Sequence, residues 1–198
     1  LAATVCGLIA TLAFCRLYRL FPVRALLIAS LFGYLAWSFK QSHVFIPLTL
    51  GLFLLIRSDW RGLSLICIFN GLGWGVALIA GSEAYVKMLL QKGVDKSLEA
   101  SRLWINLRNF AIKTTPITAL VATVMLMARQ PNRLISRIVD DDYALIAVCG
   151  LLVSTAISVP FSAKQGASEN YYFVMSFFMV FASIALLPLL PRPVRFGR

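Results

Sequence analysis

The sequence predicts an all-α fold, a polytopic transmembrane helix bundle of about seven spans with an amphipathic helical joint on its outer face. Three observations predict it. Of the 198 residues, 60% are hydrophobic, 14% are charged and the mean hydropathy is +0.82, whereas an ordinary soluble domain carries about 25% charged residues. The apolar residues fall into long runs, several of them close to the roughly 20 residues that cross about 30 Å of hydrocarbon. The runs do not alternate with period two. In lipid every backbone N–H and C=O must be satisfied within its own segment or in a closed barrel, so helices remain.

The runs follow one another with short charged joints. The first, 1–14, ends at Arg16 and Arg19; the second, 23–39, starts beside Arg24 and ends at Lys40. The third, 44–56, is closed by Arg57 and Arg61 and is short enough that a re-entrant or tilted segment competes with a full span. The fourth, 63–81, carries Gly71, Gly73 and Gly75 at alternate positions, which predicts close packing or a kink rather than one GxxxG seam. A polar stretch, 82–115, separates it from a fifth run at 116–128; runs at 143–161 and 171–190 complete the set. Together, residues 1–198 read as a single transmembrane domain. Leu1 opens the chain without a Met and inside an apolar run, with no basic n-region or cleavage pattern, which reads as the carboxyl-terminal part of a longer protein.

Within the polar stretch, Leu103, Leu107 and Phe110 share one helical face while Glu99, Arg102, Asn106 and Asn109 recur on the other. Gly93 suits a helix end and Asp95 or Ser97 the next cap. Two short helices over about 84–110, anchored by Trp104, are therefore expected in the plane of the outer headgroups.

A net charge of +11 would suggest nucleic acid in a soluble protein, but here the charges lie between spans and have to be sorted by side. If every run spans, Arg16, Arg19, Arg24, Arg57, Arg61, Arg129, Arg133, Arg137, Arg192, Arg195 and Arg198 share one side. Every lysine falls on the other. The positive-inside rule makes the arginine side cytoplasmic and the lysine joints external, in a multi-pass protein of the cell (inner) membrane. Nucleic acid is excluded as a partner; membrane lipid is implied. Cys6, Cys15, Cys67 and Cys149 lie in or beside apolar runs without metal-like spacing and read as small hydrophobes.

Two outer joints carry the chemistry. One is Phe39-Lys40-Gln41-Ser42-His43, a tight polar hairpin. The other, 162–172, holds Lys164, Gln165, Gly166, Ser168, Glu169, Asn170 and Tyr171 and leads into the last run. Its pattern suits an anion: Ser168 can cap a helix starting near Glu169, whose free N–H groups favour negative charge, and Lys164 adds a full charge. A plainer account has Lys40 and Lys164 snorkelling to the interface, with Tyr171 and Tyr172 in the aromatic belt. His43 is the single histidine, so no His-based triad or metal site can be assembled. Asp140, Asp141 and Asp142 resemble an acid cluster but stand where acidic residues favour a helix start. Arg102 and Arg108 suit either an anionic headgroup or a solvated face, and Asn70 an interhelical hydrogen bond.

The run Ala36-Trp37-Ser38-Phe39-Lys40-Gln41-Ser42-His43 resembles the "TKQT/S" hairpin of bacterial multi-span glycosyltransferases of the GT-C superfamily, family-39-like. Residues Lys164-Gln165-Gly166-Ala167-Ser168-Glu169-Asn170-Tyr171 are similar to their "K-x-G-A/S-x-x-N-Y" joint. The resemblance spans the whole chain and implies a glycosyltransferase that moves a sugar from a polyprenyl-phosphate donor to an acceptor on the outer face. It implies that Lys40, Gln41, His43, Lys164, Gln165, Glu169, Asn170 and Tyr171 line the donor site, with Lys40 and Lys164 meeting phosphate. The family's catalytic acid belongs to an early outer loop, expected upstream of Leu1; Glu169 and Glu83 are the internal carboxylates that could replace it. A divalent cation is the one cofactor considered, without ligands assigned to it. A transporter or lipid-linked sugar flippase, and a non-catalytic assembly subunit, are the rival classes.

Overall fold

An apolar run with no period-two alternation closes its own hydrogen bonds as a helix, and the described part of each of the seven predicted runs falls wholly or largely in one. The computed structural model describes residues 2–39, 44–83, 98–127, 131–163 and 172–189. Among these, the order is α1 (Ala2–Leu17), α2 (Pro22–Phe39), α3 (Phe45–Ile56), α4 (Trp60–Ala80), α5 (Ala100–Met127), α6 (Pro131–Asp140), α7 (Asp142–Phe161) and α8 (Phe173–Leu186), then a 3-10 turn, Leu187–Leu189. Helices α4 and α7 are long and apolar enough to cross a membrane; α1, α2, α3 and α8 are apolar but shorter.

The middle of the bundle belongs to α3, which is apolar nearly all round and so has no face suited to water. Its Leu50, Phe53 and Leu54 pack with Phe14 of α1, Leu26 of α2, Ile66 of α4 and Ile146 of α7. Phe53 sits edge-on to both Phe14 and Tyr18, with centroids 5.5 and 5.4 Å away. At its start, Phe45 clusters with Val174 and Phe178 of α8; at its end, Arg57 reaches Asp142 at the start of α7. Since α7 and α8 are antiparallel neighbours joined through Ser162 and Tyr172, these two contacts lie at opposite ends of the bundle. The third run therefore passes from end to end and does not turn back.

The α7–α8 contact is unusually close because Gly150 has no side chain. A Cβ there would lie 2.0 Å from Cε1 of Phe178, whose ring is fully buried against the α7 backbone.

Two expectations are corrected. The break between an in-plane helix ending at 110 and a span beginning at 116 does not exist, because α5 is continuous through Pro116. Proline deletes one N–H and crowds the preceding turn; Thr114 and Thr115 bond back to the carbonyls of Phe110 and Ala111, supplying donors around that turn. The 84–97 portion of the joint lies outside the described residues. Secondly, the joint containing Arg133 and Arg137 is itself a helix, α6, with Leu134 buried and Ile138 packed on the core. Its signal was present in the spacing of Leu134, Ile135, Ile138 and Val139 after Pro131, a favoured first helical residue. The three glycines of α4 are divided between faces, as expected, and one gives the close packing: Gly73 faces the Tyr34 ring, with an added Cβ 3.1 Å from Cδ2, whereas Gly71 and Gly75 face open space. No break in α4 accompanies them.

Candidate functional site

The donor-site residues Lys40, Gln41, His43, Lys164, Gln165, Glu169, Asn170 and Tyr171 lie outside the described residues. What is described is the platform from which both joints spring. Helix α2 ends and α3 begins around the first joint; α7 ends and α8 begins around the second. Phe45, two residues after His43, packs with Val174, three residues after Tyr171, in one buried cluster with Phe178. The starts of α3 and α8, which follow the two segments, therefore lie side by side.

The residues on either side of 164–171 are bonded to each other. The Tyr172 hydroxyl donates to Oγ of Ser162 at 2.8 Å, so the residues flanking 164–171 on each side are pinned together. Helix α5 completes the clamp: Asn106 donates through Nδ2 to the Ser162 carbonyl at 2.9 Å, and the N–H of Glu99 donates to the carbonyl of Ala163 at 2.8 Å. Phe110 stacks on Tyr172, centroids 4.4 Å apart. These partners explain how polar groups survive burial here.

Two expectations change accordingly. Tyr172 is buried and hydrogen-bonded, not a belt residue at the surface, and Asn106 is the buried anchor of α5, not part of its polar face. Periodicity could not reveal this, because Asn106 is polar and its acceptor is a main-chain carbonyl 56 residues away. Trp104 is exposed, as an interfacial anchor requires. Arg102 forms an exposed ion pair with Glu99 at 3.4 Å, an interaction of little energetic weight. Glu83, three residues after α4, is exposed.

At the opposite end two of the arginine joints meet. Asp142 receives hydrogen bonds from Arg19 Nε and Arg57 Nη2, joining the α1–α2 and α3–α4 joints to the start of α7. Asp141 caps α7 by accepting from the Ala144 N–H at 2.8 Å, and the carbonyl of Asp140 accepts from Arg19. Asp59, which the sequence did not single out, caps α4 through the Gly62 N–H at 2.9 Å and accepts from the Tyr18 hydroxyl at 2.6 Å. Burial, and then the hydrogen bond to this carboxylate, push the Tyr18 phenol above its ordinary pKa. Its signal was an Asp three residues before Gly62, at the start of an apolar run.

The acid triplet is thus a helix start and an ion clamp. An open crevice of about 460 Å³ lies beside it, lined by Arg19, Arg137, Asp140, Asp141 and Pro188. Among the described residues no three side chains of metal-binding type stand together. The polar interior residue Asn70 donates to Ser30 Oγ of α2 at 3.2 Å and to the carbonyl of Ile66 at 2.8 Å, the interhelical bond expected of it. No protein-family model, curated protein or solved structure matches the chain.

Proposed function

We propose that the chain is a seven-span membrane protein of the cell (inner) membrane, and the donor-binding portion of a GT-C-like glycosyltransferase that uses a polyprenyl-phosphate sugar on the outer face. The observation that supports this reading is that described residues next to the two lysine-bearing segments meet: Phe45 and Val174 share one buried cluster, and Ser162 and Tyr172, on either side of 164–171, are hydrogen-bonded. On this reading Lys40 and Lys164, distant in sequence, meet the phosphate of one donor. Departure of a polyprenyl phosphate concentrates negative charge on its oxygens, and two ammonium groups with helix-start N–H donors stabilise that charge. The convergence of Arg19 and Arg57 on Asp142 supports the sidedness, since it groups two arginine joints with the start of α7 at the opposite end.

The test uses the full-length protein in membrane vesicles with a radiolabelled polyprenyl-phosphate hexose. Lys40→Ala and Lys164→Ala are each expected to lower transfer by about tenfold or more, the scale of one charge-assisted hydrogen bond, while leaving the amount of inserted protein unchanged. Wild-type rates in both variants would overturn the donor-site assignment.

A further inference from the structure

The arginine end of the bundle divides sharply between charged and apolar side chains. Helix α6 carries Leu134, Ile135, Ile138 and Val139 on one face and Ser136, Arg137 and Asp140 on the other. Leu134 and Ile138 meet the core, and Ile135 and Val139 are exposed beside them. In a bilayer such a helix lies where hydrocarbon gives way to headgroups. On α8, Val180 and Ile184, and then Leu187 in the turn, recur at i, i+4 and i+7 as an exposed apolar stripe that ends one residue before Pro188.

The crevice of about 460 Å³ opens at this boundary, with Pro188 in one wall and Arg19, Arg137, Asp140 and Asp141 in the others. Its two guanidinium groups and two carboxylates balance, so a ligand of one sign meets repulsion from half of the charged lining, and a zwitterion does not. Arg19 holds Asp142 through Nε and the Asp140 carbonyl through Nη2; among the described residues its Nη1 makes no bond and keeps two N–H donors for an anion. Asp141 caps α7 through Oδ1, which leaves Oδ2 to accept. Asp140 closes α6, where the negative end of the helix dipole adds to its carboxylate and favours a cation.

We propose that this crevice binds the headgroup of a phospholipid whose phosphate carries a primary ammonium, the ethanolamine class. The phosphate meets Arg19 and Arg137, the ammonium meets Asp140 and Asp141, and the acyl chains lie along the Val180–Ile184–Leu187 stripe. A quaternary ammonium has no N–H to give the two carboxylates, so a choline headgroup leaves them unmatched. A glycerol headgroup brings the phosphate charge without a cation and sets it against the same two groups. The site rests on the bilayer part of the proposal above and is independent of the transferase activity.

The full chain in detergent micelles is titrated with phosphatidylethanolamine, phosphatidylcholine and phosphatidylglycerol of identical acyl chains, and bound lipid is counted by native mass spectrometry. The ethanolamine lipid is expected to bind about tenfold more tightly than either other, the scale of one charge-assisted hydrogen bond. Asp140→Asn should erase most of the preference over choline and Asp140→Glu should keep it, whereas Arg137→Gln should weaken all three lipids. Both side chains are exposed, so the variants should unfold at the wild-type SDS midpoint. Glycerophosphoethanolamine, the same headgroup without chains, should displace no lipid at equal concentration. Equal binding of the three lipids, a preference unchanged in Asp140→Asn, or displacement by the soluble headgroup would each overturn the proposal. Alkaline carbonate extraction separates the two levels: release of the chain sinks the bilayer reading and this one together, whereas a chain that is retained without a lipid preference sinks only this one.

Discussion

Substituting Gly150 by alanine tests the packing that holds α8 on α7. The added methyl would stand 2.0 Å from Cε1, 2.1 Å from Cδ1 and 2.4 Å from Cζ of Phe178, where carbon atoms settle at about 3.5–4.0 Å. The ring or the helix must therefore withdraw by about 1.5 Å. Phe178 has nowhere to go without disturbance, since it is fully buried, clusters with Phe45 and Val174, and meets the Phe177 ring at 5.0 Å. Overpacking of this kind costs about 1–3 kcal/mol, and the better helix propensity of alanine returns at most about 1 kcal/mol. A net loss of about 1–2 kcal/mol is expected, read as a lowered midpoint in SDS titration of the protein in mixed micelles. Gly75→Ala is the internal control: with open space around its Cβ it should be neutral or more stable. Because Phe178 clusters with Phe45 and Val174, which follow the two segments of the proposed donor site, that proposal expects Gly150→Ala to depress transfer even though no proposed donor-site residue is altered. A Gly150→Ala protein as stable as wild type would refute the α7–α8 contact and, with it, the platform beneath the proposed site.

Removal of the Asp142 carboxylate should cost about 3 kcal/mol, because it leaves the half-buried Arg57 without its counter-charge; Arg19→Ala should cost far less, since Arg19 is 67% exposed. Chemical denaturation of Asp142→Ala, Arg57→Ala and Arg19→Ala gives the order, and a loss in Arg19→Ala equal to that in Asp142→Ala would contradict it. Tyr18 predicts a pH dependence: a phenol whose folded pKa is raised contributes stability fully below its unfolded pKa of about 10 and loses it as the pH rises through the folded value. Wild type should weaken above pH of about 10 more steeply than Tyr18→Phe, and parallel alkaline limbs would exclude Tyr18 as the cause. Ser58 holds a φ of 54°, a left-handed conformation that costs a side chain about 1–2 kcal/mol. Ser58→Gly should raise the unfolding midpoint slightly and Ser58→Val lower it; the reverse order would show that the turn is otherwise shaped.

Much of the architecture was legible in the amino-acid order. Apolar runs bounded by charge define helices because lipid and core alike demand internally bonded backbone, and that constraint is local to each run. For the same reason Asp141 ahead of α7 and Asn70 within α4 were read in their observed roles. Other features depend on partners that sequence separation hides. Only the fold shows that α3 lies at the centre and crosses from Val174 to Asp142, since a short apolar run of this length would serve equally as a re-entrant turn. Asn106 looked like a surface residue because amphipathic periodicity registers side-chain polarity, whereas its burial is made possible by the Ser162 carbonyl. The glycines of α4 differ for a similar reason: Gly73 is occupied by Tyr34, and Gly71 and Gly75 are open, although all three are the same residue on the same helix. Local free energy is written residue by residue, while the value of a polar group or a missing side chain is set by what tertiary packing places against it.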